Sequence, residues 1–162
     1  MNKPNKSHIR DIGKDVVYDS QSVQRLINMF TKDGQKQKAE KIIYGAIEKL
    51  MASEHVGNMT GAEIIDSIVA KVSPTVEAVS KRIKGATLPI PTEVSKRRGQ
   101  MLAFRWIRTG AIAKRGKESS TLKDALCSEL LDALQDRGFA IKRRDETHAT
   151  ARANRAFAHF SR

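Results

Sequence analysis

Between positions 36 and 52 the apolar residues Ala39, Ile42, Ile43, Ala46, Ile47 and Leu50 recur at spacings of three and four, with Glu40, Lys41, Glu48 and Lys49 among them. That period lays one apolar stripe along an α-helix, whereas a strand would scatter the same residues over both faces. A shorter stripe of the same kind runs through Val23, Leu26, Ile27 and Phe30, with Gly34 where a helix would terminate. Thr60 followed by Glu63 fits a capping box ahead of Ile64, Ile65, Ile68, Val69 and Val72, a third stripe that Pro74 closes.

The period then changes. Residues 75–83 and 87–94 are rich in β-branched side chains, with Lys84 and Gly85 between them, which predicts a hairpin. Pro89 and Pro91 cannot donate ladder hydrogen bonds, so their strand has to be an edge, as in an isolated two-stranded ribbon. Helical spacing returns over 96–114, with Met101, Phe104, Ile107, Ala111 and Ile112 expected inward and Arg97, Arg98, Arg105 and Arg108 spread around the helix. Ser119 or Ser120 is expected to cap a fifth helix whose Leu122, Ala125, Leu126, Leu130, Ala133 and Leu134 face the core before Gly138 stops it. After Lys142, Arg143 and Arg144, the acids Asp145 and Glu146 suit the start of a sixth helix that Ala149, Ala153, Ala156 and Phe157 continue. The expected fold is mainly α: a bundle of about six helices with a protruding two-stranded β-hairpin at about 75–94. Residues 20–162 form one domain, and 1–19 form a basic arm carrying Lys3, Lys6 and Arg10.

Charge narrows the function. Residues 1–79 hold 11 Lys and Arg against 10 Asp and Glu, and residues 80–162 hold 19 against 8, so the second half carries +11 of the net +12. Self-repulsion on that scale opposes folding unless a polyanion neutralises it, which points to nucleic acid ahead of an anionic membrane. The cations fall in four clusters: Lys81, Arg82 and Lys84; Lys96, Arg97 and Arg98; Lys114, Arg115 and Lys117; and Lys142, Arg143 and Arg144. Side chains of this kind position a phosphate backbone without reading its sequence. No apolar run approaches the roughly 20 residues of a membrane-spanning helix.

Catalytic and metal chemistry find no footing. His8, His55, His148 and His159 have no partner at metal-ligand spacing, and no phosphate-cradling glycine loop or nucleophile elbow is present, so neither an enzyme nor a cofactor is expected. The lone Cys127 excludes an internal disulfide and reads as a packed thiol on the fifth helix. Phe104, Trp106 and Phe157 read as core rather than as base-stacking platforms. A helical DNA-binding module and an RNA-modifying enzyme are the competing classes, but no helix-turn-helix or homeodomain pattern can be placed.

Several ordered segments carry a resemblance. PTVEAVSKRIKGATLPIPTEV over 74–94, LAFRWI over 102–107, ELLDALQDRG over 129–138, KRRDETHATARANRAFAHF over 142–160 and DGQKQKAEKIIYGAIE over 33–48 resemble the universal small-subunit ribosomal protein seven family, the primary RNA-binding protein of the small-subunit head. Lys84-Gly85 stands where that family commonly has Gly-Gly, and Leu88 where it has an aromatic residue. The resemblance implies the same helical bundle with a β-hairpin, and a grip on the 3′ major domain of small-subunit ribosomal RNA that nucleates head assembly. Lys3, Lys6 and Arg10 of the arm, Lys32, Lys36 and Lys38 would take part in it, with Arg97, Arg98, Arg105, Arg108, Lys114, Arg115, Lys142, Arg143, Arg144, Arg152 and Arg155. Lys81, Arg82 and Lys84 would reach exit-site transfer RNA and messenger RNA, and neighbouring head and platform proteins would be the protein partners. The stretches KRRGQMLAFRWI and LCSELLDALQDRG look more like mitochondrial members than bacterial ones, which favours the mitochondrial matrix over a bacterial cytoplasm.

Overall fold

The computed structural model describes residues 12–53, 56–57, 59–83, 85–117 and 121–161. Three helices, α1 (Gln21–Phe30), α2 (Lys36–Met51) and α3 (Gly61–Val72), precede the hairpin strands β1 (Val76–Ile83) and β2 (Ala86–Glu93). The helices α4 (Lys96–Lys114), α5 (Leu122–Leu134) and α6 (Gly138–Ala153) follow, and a 3-10 helix, Arg155–Ser161, comes last. The mainly helical bundle with one antiparallel ribbon is thus the fold that forms.

The stripes meet in one core: Leu26 and Ile27 of α1, Ile43 and Ile47 of α2, Ile64 and Ile68 of α3, Phe104 and Ile107 of α4, and Leu126 and Leu130 of α5 are all buried. Each such side chain contributes about 1.5–3 kcal/mol by leaving water. The capping box at α3 is formed in both directions, the Thr60 hydroxyl accepting from Glu63 N–H and the Glu63 carboxylate accepting from Thr60 N–H at 2.8 Å. Those bonds from Thr60 hold Glu63 below the usual carboxylate range.

The segment ahead of α1 is anchored by one acid. Asp15 is only 4% exposed. Its carboxylate accepts from the backbone N–H groups of Val17, Tyr18 and Ser20 at 3.1, 2.8 and 3.0 Å, and Ser20 in turn caps α1. The expected arm therefore joins the body by Asp15, while Lys3, Lys6 and Arg10 lie outside the described residues.

Several expectations are corrected. Met101 and Ile112 face outward, because Gly99, Ala103 and Gly110, whose small size lets neighbours approach closely, make the inward face of α4 with Phe104, Ile107 and Ala111. Thr121 caps α5 by accepting from Asp124 N–H, whereas Ser119 and Ser120 lie outside the described residues. Gly138, at φ 91°, opens α6 rather than closing α5; the left-handed turn residue after α5 is Asp136, at φ 55°. As a result Lys142, Arg143 and Arg144 lie within α6, and Asp145 and Glu146 sit in its middle instead of at its start. Ala149, Ala153 and Ala156 are exposed, and the helix stops at Ala153.

The hairpin pairs Val79 with Ile90 and Ile83 with Ala86, and Gly85 turns between the strands at φ 90°. Pro91 lies opposite Ala78 and Pro89 opposite Ser80 on a sheet of two strands, so both donor-less nitrogens meet a free edge. The ribbon is less detached than its sequence suggests. Ile90 is fully buried, and the inner part of the hairpin packs against α6 and the final 3-10 helix.

Candidate nucleic-acid interface

Which of the cations are available to a partner depends on which already hold an acid. Lys114 does not reach solvent as expected. Its side chain is 12% exposed and its ammonium contacts Asp132 and, at 3.0 Å, Oε2 of the fully buried Glu129. Burial works against the Lys114 charge, but the bonds to Asp132 and Glu129 outweigh it and hold the group above the ordinary lysine range. Glu129 Oε1 accepts from the Ala140 N–H at 2.9 Å, in the first turn of α6, where a negative charge meets the positive end of the helix dipole. This acid ties α4, α5 and α6 together, and the sequence reading missed it. Its signal was present: position 129 falls on the stripe of Ala125, Leu126, Leu130 and Ala133, where a charge has no business unless paired.

Arg144 is also turned inward. Its guanidinium, 22% exposed, donates to the Lys71 carbonyl at 2.7 Å and contacts Asp145, so it closes the C-terminal end of α3. Arg98 holds the Glu77 carboxylate of β1 with both Nε and Nη2, an ion pair that raises its pKa further and fastens the hairpin base to α4. A second fastening comes from α6, where His148 Nε2 accepts from the Thr75 N–H at 3.1 Å. Arg143 pairs with Glu146 at 2.9 Å on the surface, and Lys36 with Glu40 at 3.5 Å.

The remaining cations define the candidate interface. Arg97, Arg105, Arg108 and Arg115 have no ion pair among the described residues. At 3.6 residues per turn their positions fall within about 80° of one another around α4 and its C-cap. One helix side therefore presents four guanidinium groups that no acid among the described residues neutralises. Lys32 and Lys38 are exposed around the α1–α2 turn, and Lys142, Arg152 and Arg155 are exposed at the C-terminal end. On the ribbon, Lys81 shares a face with Ile90 while Arg82 projects from the opposite face, so the tip offers one cation on each side; Lys84 lies outside the described residues.

One groove is unsuited to a polyanion. A groove of about 1010 Å³ among α1, α3, the hairpin base and the start of α4 is lined by Asp19, Asp66 and Glu93 with Lys96 as its one cation. Among the described residues no group of His, Cys, Asp and Glu is arranged to hold a metal ion, and no helix is long and apolar enough to cross a membrane. Cys127 is half-buried beside the core, and its burial pushes the thiol up.

The family model for ribosomal protein S7p/S5e matches residues 2–155. The chain belongs to the ribosomal protein S7p/S5e family. It is 41% identical over 160 residues to the small ribosomal subunit protein uS7 of Francisella philomiragia, with 99% of each chain covered. The corresponding proteins of Francisella tularensis subspecies holarctica and novicida are equally similar, at 41% identity and 99% coverage of each chain. Membership makes the chain a structural component of the small ribosomal subunit and not an enzyme, with ribosomal RNA and ribosomal proteins as its general partners. These relatives are bacterial, and the expected mitochondrial location gains no support from them.

Proposed function

We propose that this S7p/S5e protein binds the 3′ major domain of small-subunit ribosomal RNA, nucleates assembly of the head, and extends its hairpin towards exit-site transfer RNA and messenger RNA. The reading rests on the arginine side of α4, which no acid among the described residues neutralises, supported by the exposed cations Lys32, Lys38, Lys142, Arg152 and Arg155. Arginine guanidinium groups bind phosphate oxygens in a planar, two-pronged geometry that the more strongly hydrated lysine ammonium does not match. Lys3, Lys6 and Arg10 extend the same grip, and Lys114 and Arg144 serve it indirectly by holding α4 and α6 in place. Neighbouring head and platform proteins are the protein partners of this assignment. Its compartment is the cytoplasm of a bacterium, in keeping with the relatives.

The hairpin suits a reaching role because its base is fastened by Glu77–Arg98, His148–Thr75 and the buried Ile90, while Lys81 and Arg82 stay exposed towards the tip. The test is competition binding to a transcript of the 3′ major domain, with duplex DNA and an unrelated structured RNA as competitors. Retention against both competitors is the expected result. Equal binding to all three would reduce the protein to a general polyanion binder and overturn the assignment.

A further inference from the structure

Asp66 is an acid that the fold does not use. It stands exposed in the middle of α3, in a row with Ala62 and Ala70 four positions to either side, and forms no ion pair among the described residues. The chain holds 30 Lys and Arg against 18 Asp and Glu, so an acid without a partner is the exception on this surface. Glu93, at the end of β2, is a second one, exposed and unpaired among the described residues, and both line the groove among α1, α3, the hairpin base and the start of α4. Asp19 lines it too but already holds Lys14 at 2.6 Å. Asp19 and Glu93 lie just ahead of α1 and α4, where an acid answers the positive end of a helix dipole. Asp66, in mid-helix, has no such employment.

A buried hydroxyl in the same groove also lacks a partner. Ser22 is only 8% exposed and lines the groove. The hydroxyl of the neighbouring Ser20 is spent on the Val23 N–H, whereas that of Ser22 makes no hydrogen bond among the described residues. Hydroxyls this buried are normally satisfied. The volume of about 1010 Å³ stands at the upper end of the roughly 300–1,000 Å³ of ligand-binding clefts. Its small apolar walls, Ala62, Ala70 and Val76 among them, leave the acids open to a guest.

We propose that this groove docks an extended, cationic peptide segment of another ribosomal protein, seating Lys or Arg side chains on Asp66 and Glu93 and a polar group on the Ser22 hydroxyl. The inference rests on the reading above that ribosomal proteins are partners of this chain, and adds the surface and its chemistry. Charge complementarity selects the occupant. Acids repel a phosphate backbone, whereas proteins that share an RNA are rich in Lys and Arg for the same reason that this chain is.

The experiment is fluorescence anisotropy at low ionic strength, with a labelled peptide of about eight alternating lysines and alanines as probe, on the full chain and two variants. Asp66→Asn/Glu93→Gln removes both charges at exposed positions, and Ala70→Lys sets a cation four positions after Asp66 to neutralise it from within. Circular dichroism checks that both keep the fold. Each variant is expected to bind the peptide roughly ten-fold more weakly, while affinity for the 3′ major-domain transcript does not fall. In the natural chain, the peptide should shift the backbone amide resonances of residues 62–70 and 93–96. Unchanged peptide affinity in both variants would overturn the proposal, as would shifts confined to other residues. Displacement of the peptide by spermine at equal charge would reduce the groove to a trap for any cation, and a variant that loses affinity for the transcript would assign it to RNA; either result also overturns it. A natural chain that binds the transcript no better than duplex DNA would defeat the RNA-binding reading alone, because the peptide titration contains no RNA.

Discussion

At the scale of single residues, the buried Lys114–Glu129 pair carries the largest expected effect. Lys114→Met leaves the Glu129 carboxylate buried against a lost partner, and such a change costs roughly 3–5 kcal/mol. Chemical denaturation should read that loss, and Lys114→Met combined with Glu129→Gln should recover part of it. Gly110 reports on the same site with an inverted sign. In an open helix Gly→Ala gains up to about 1 kcal/mol, but a Cβ at position 110 would lie 2.7 Å from the Glu129 carboxylate, so Gly110→Ala is expected to destabilise. His148 adds a pH dependence. Burial, then the nearby Arg144, lowers its pKa below the ordinary value of about 6.5, with Arg152 adding to this and Asp145 opposing it. Its folded-state pKa is therefore the lower one, so the stability it contributes is fully present above about pH 6.5 and is lost as pH falls through the folded value. The melting temperature should drop on going from about pH 7.5 to about pH 5.5, and His148→Gln should make that drop smaller; an identical drop in the variant would exclude His148 as its source.

Among the elements, legibility followed how far the deciding interactions lie along the chain. The capping box of α3, the stripe of α2 and the prolines of β2 are written within a few residues, and these elements formed where their signals stood. The start of α6 was misread because the Lys142 cluster and the following acids imitate a helix N-terminus, whereas Gly138 and the distant Glu129 carboxylate set the true one. The candidate interface was half legible for the same reason. The sequence supplied the arginines, but which of them are taken depends on Glu77 for Arg98 and the Lys71 carbonyl for Arg144, partners 21 and 73 positions away. The hairpin illustrates both sides of this: its register is local, but its anchorage is tertiary. Ile90→Ala should cost about 2–4 kcal/mol by opening a cavity against α6 and the final 3-10 helix, and it should raise amide exchange across the strands. Exchange rates in β1 and β2 equal to those of the natural chain would show that the ribbon is held by its turn alone.

For the molecule as a whole, the basic half and the helical bundle divide the labour. The core is built from stripes that contain almost no charge, while the cations lie outside it, paired internally where they set the positions of α4, α6 and the hairpin and unpaired where RNA is expected. Deleting residues 81–88 is expected to leave incorporation into the small subunit intact while altering exit-site occupancy, because the anchoring Ile90 and Glu77 stay in place; failed incorporation would count against that division. The most direct test of the account is the slope of log affinity against log salt on the 3′ major-domain transcript, for the natural chain and for a variant with Arg97, Arg105, Arg108 and Arg115 all changed to Gln. Four lost phosphate contacts should flatten the slope by about 3, at 0.7 to 0.9 per contact, and an unchanged slope would contradict the assignment of this helix face to RNA.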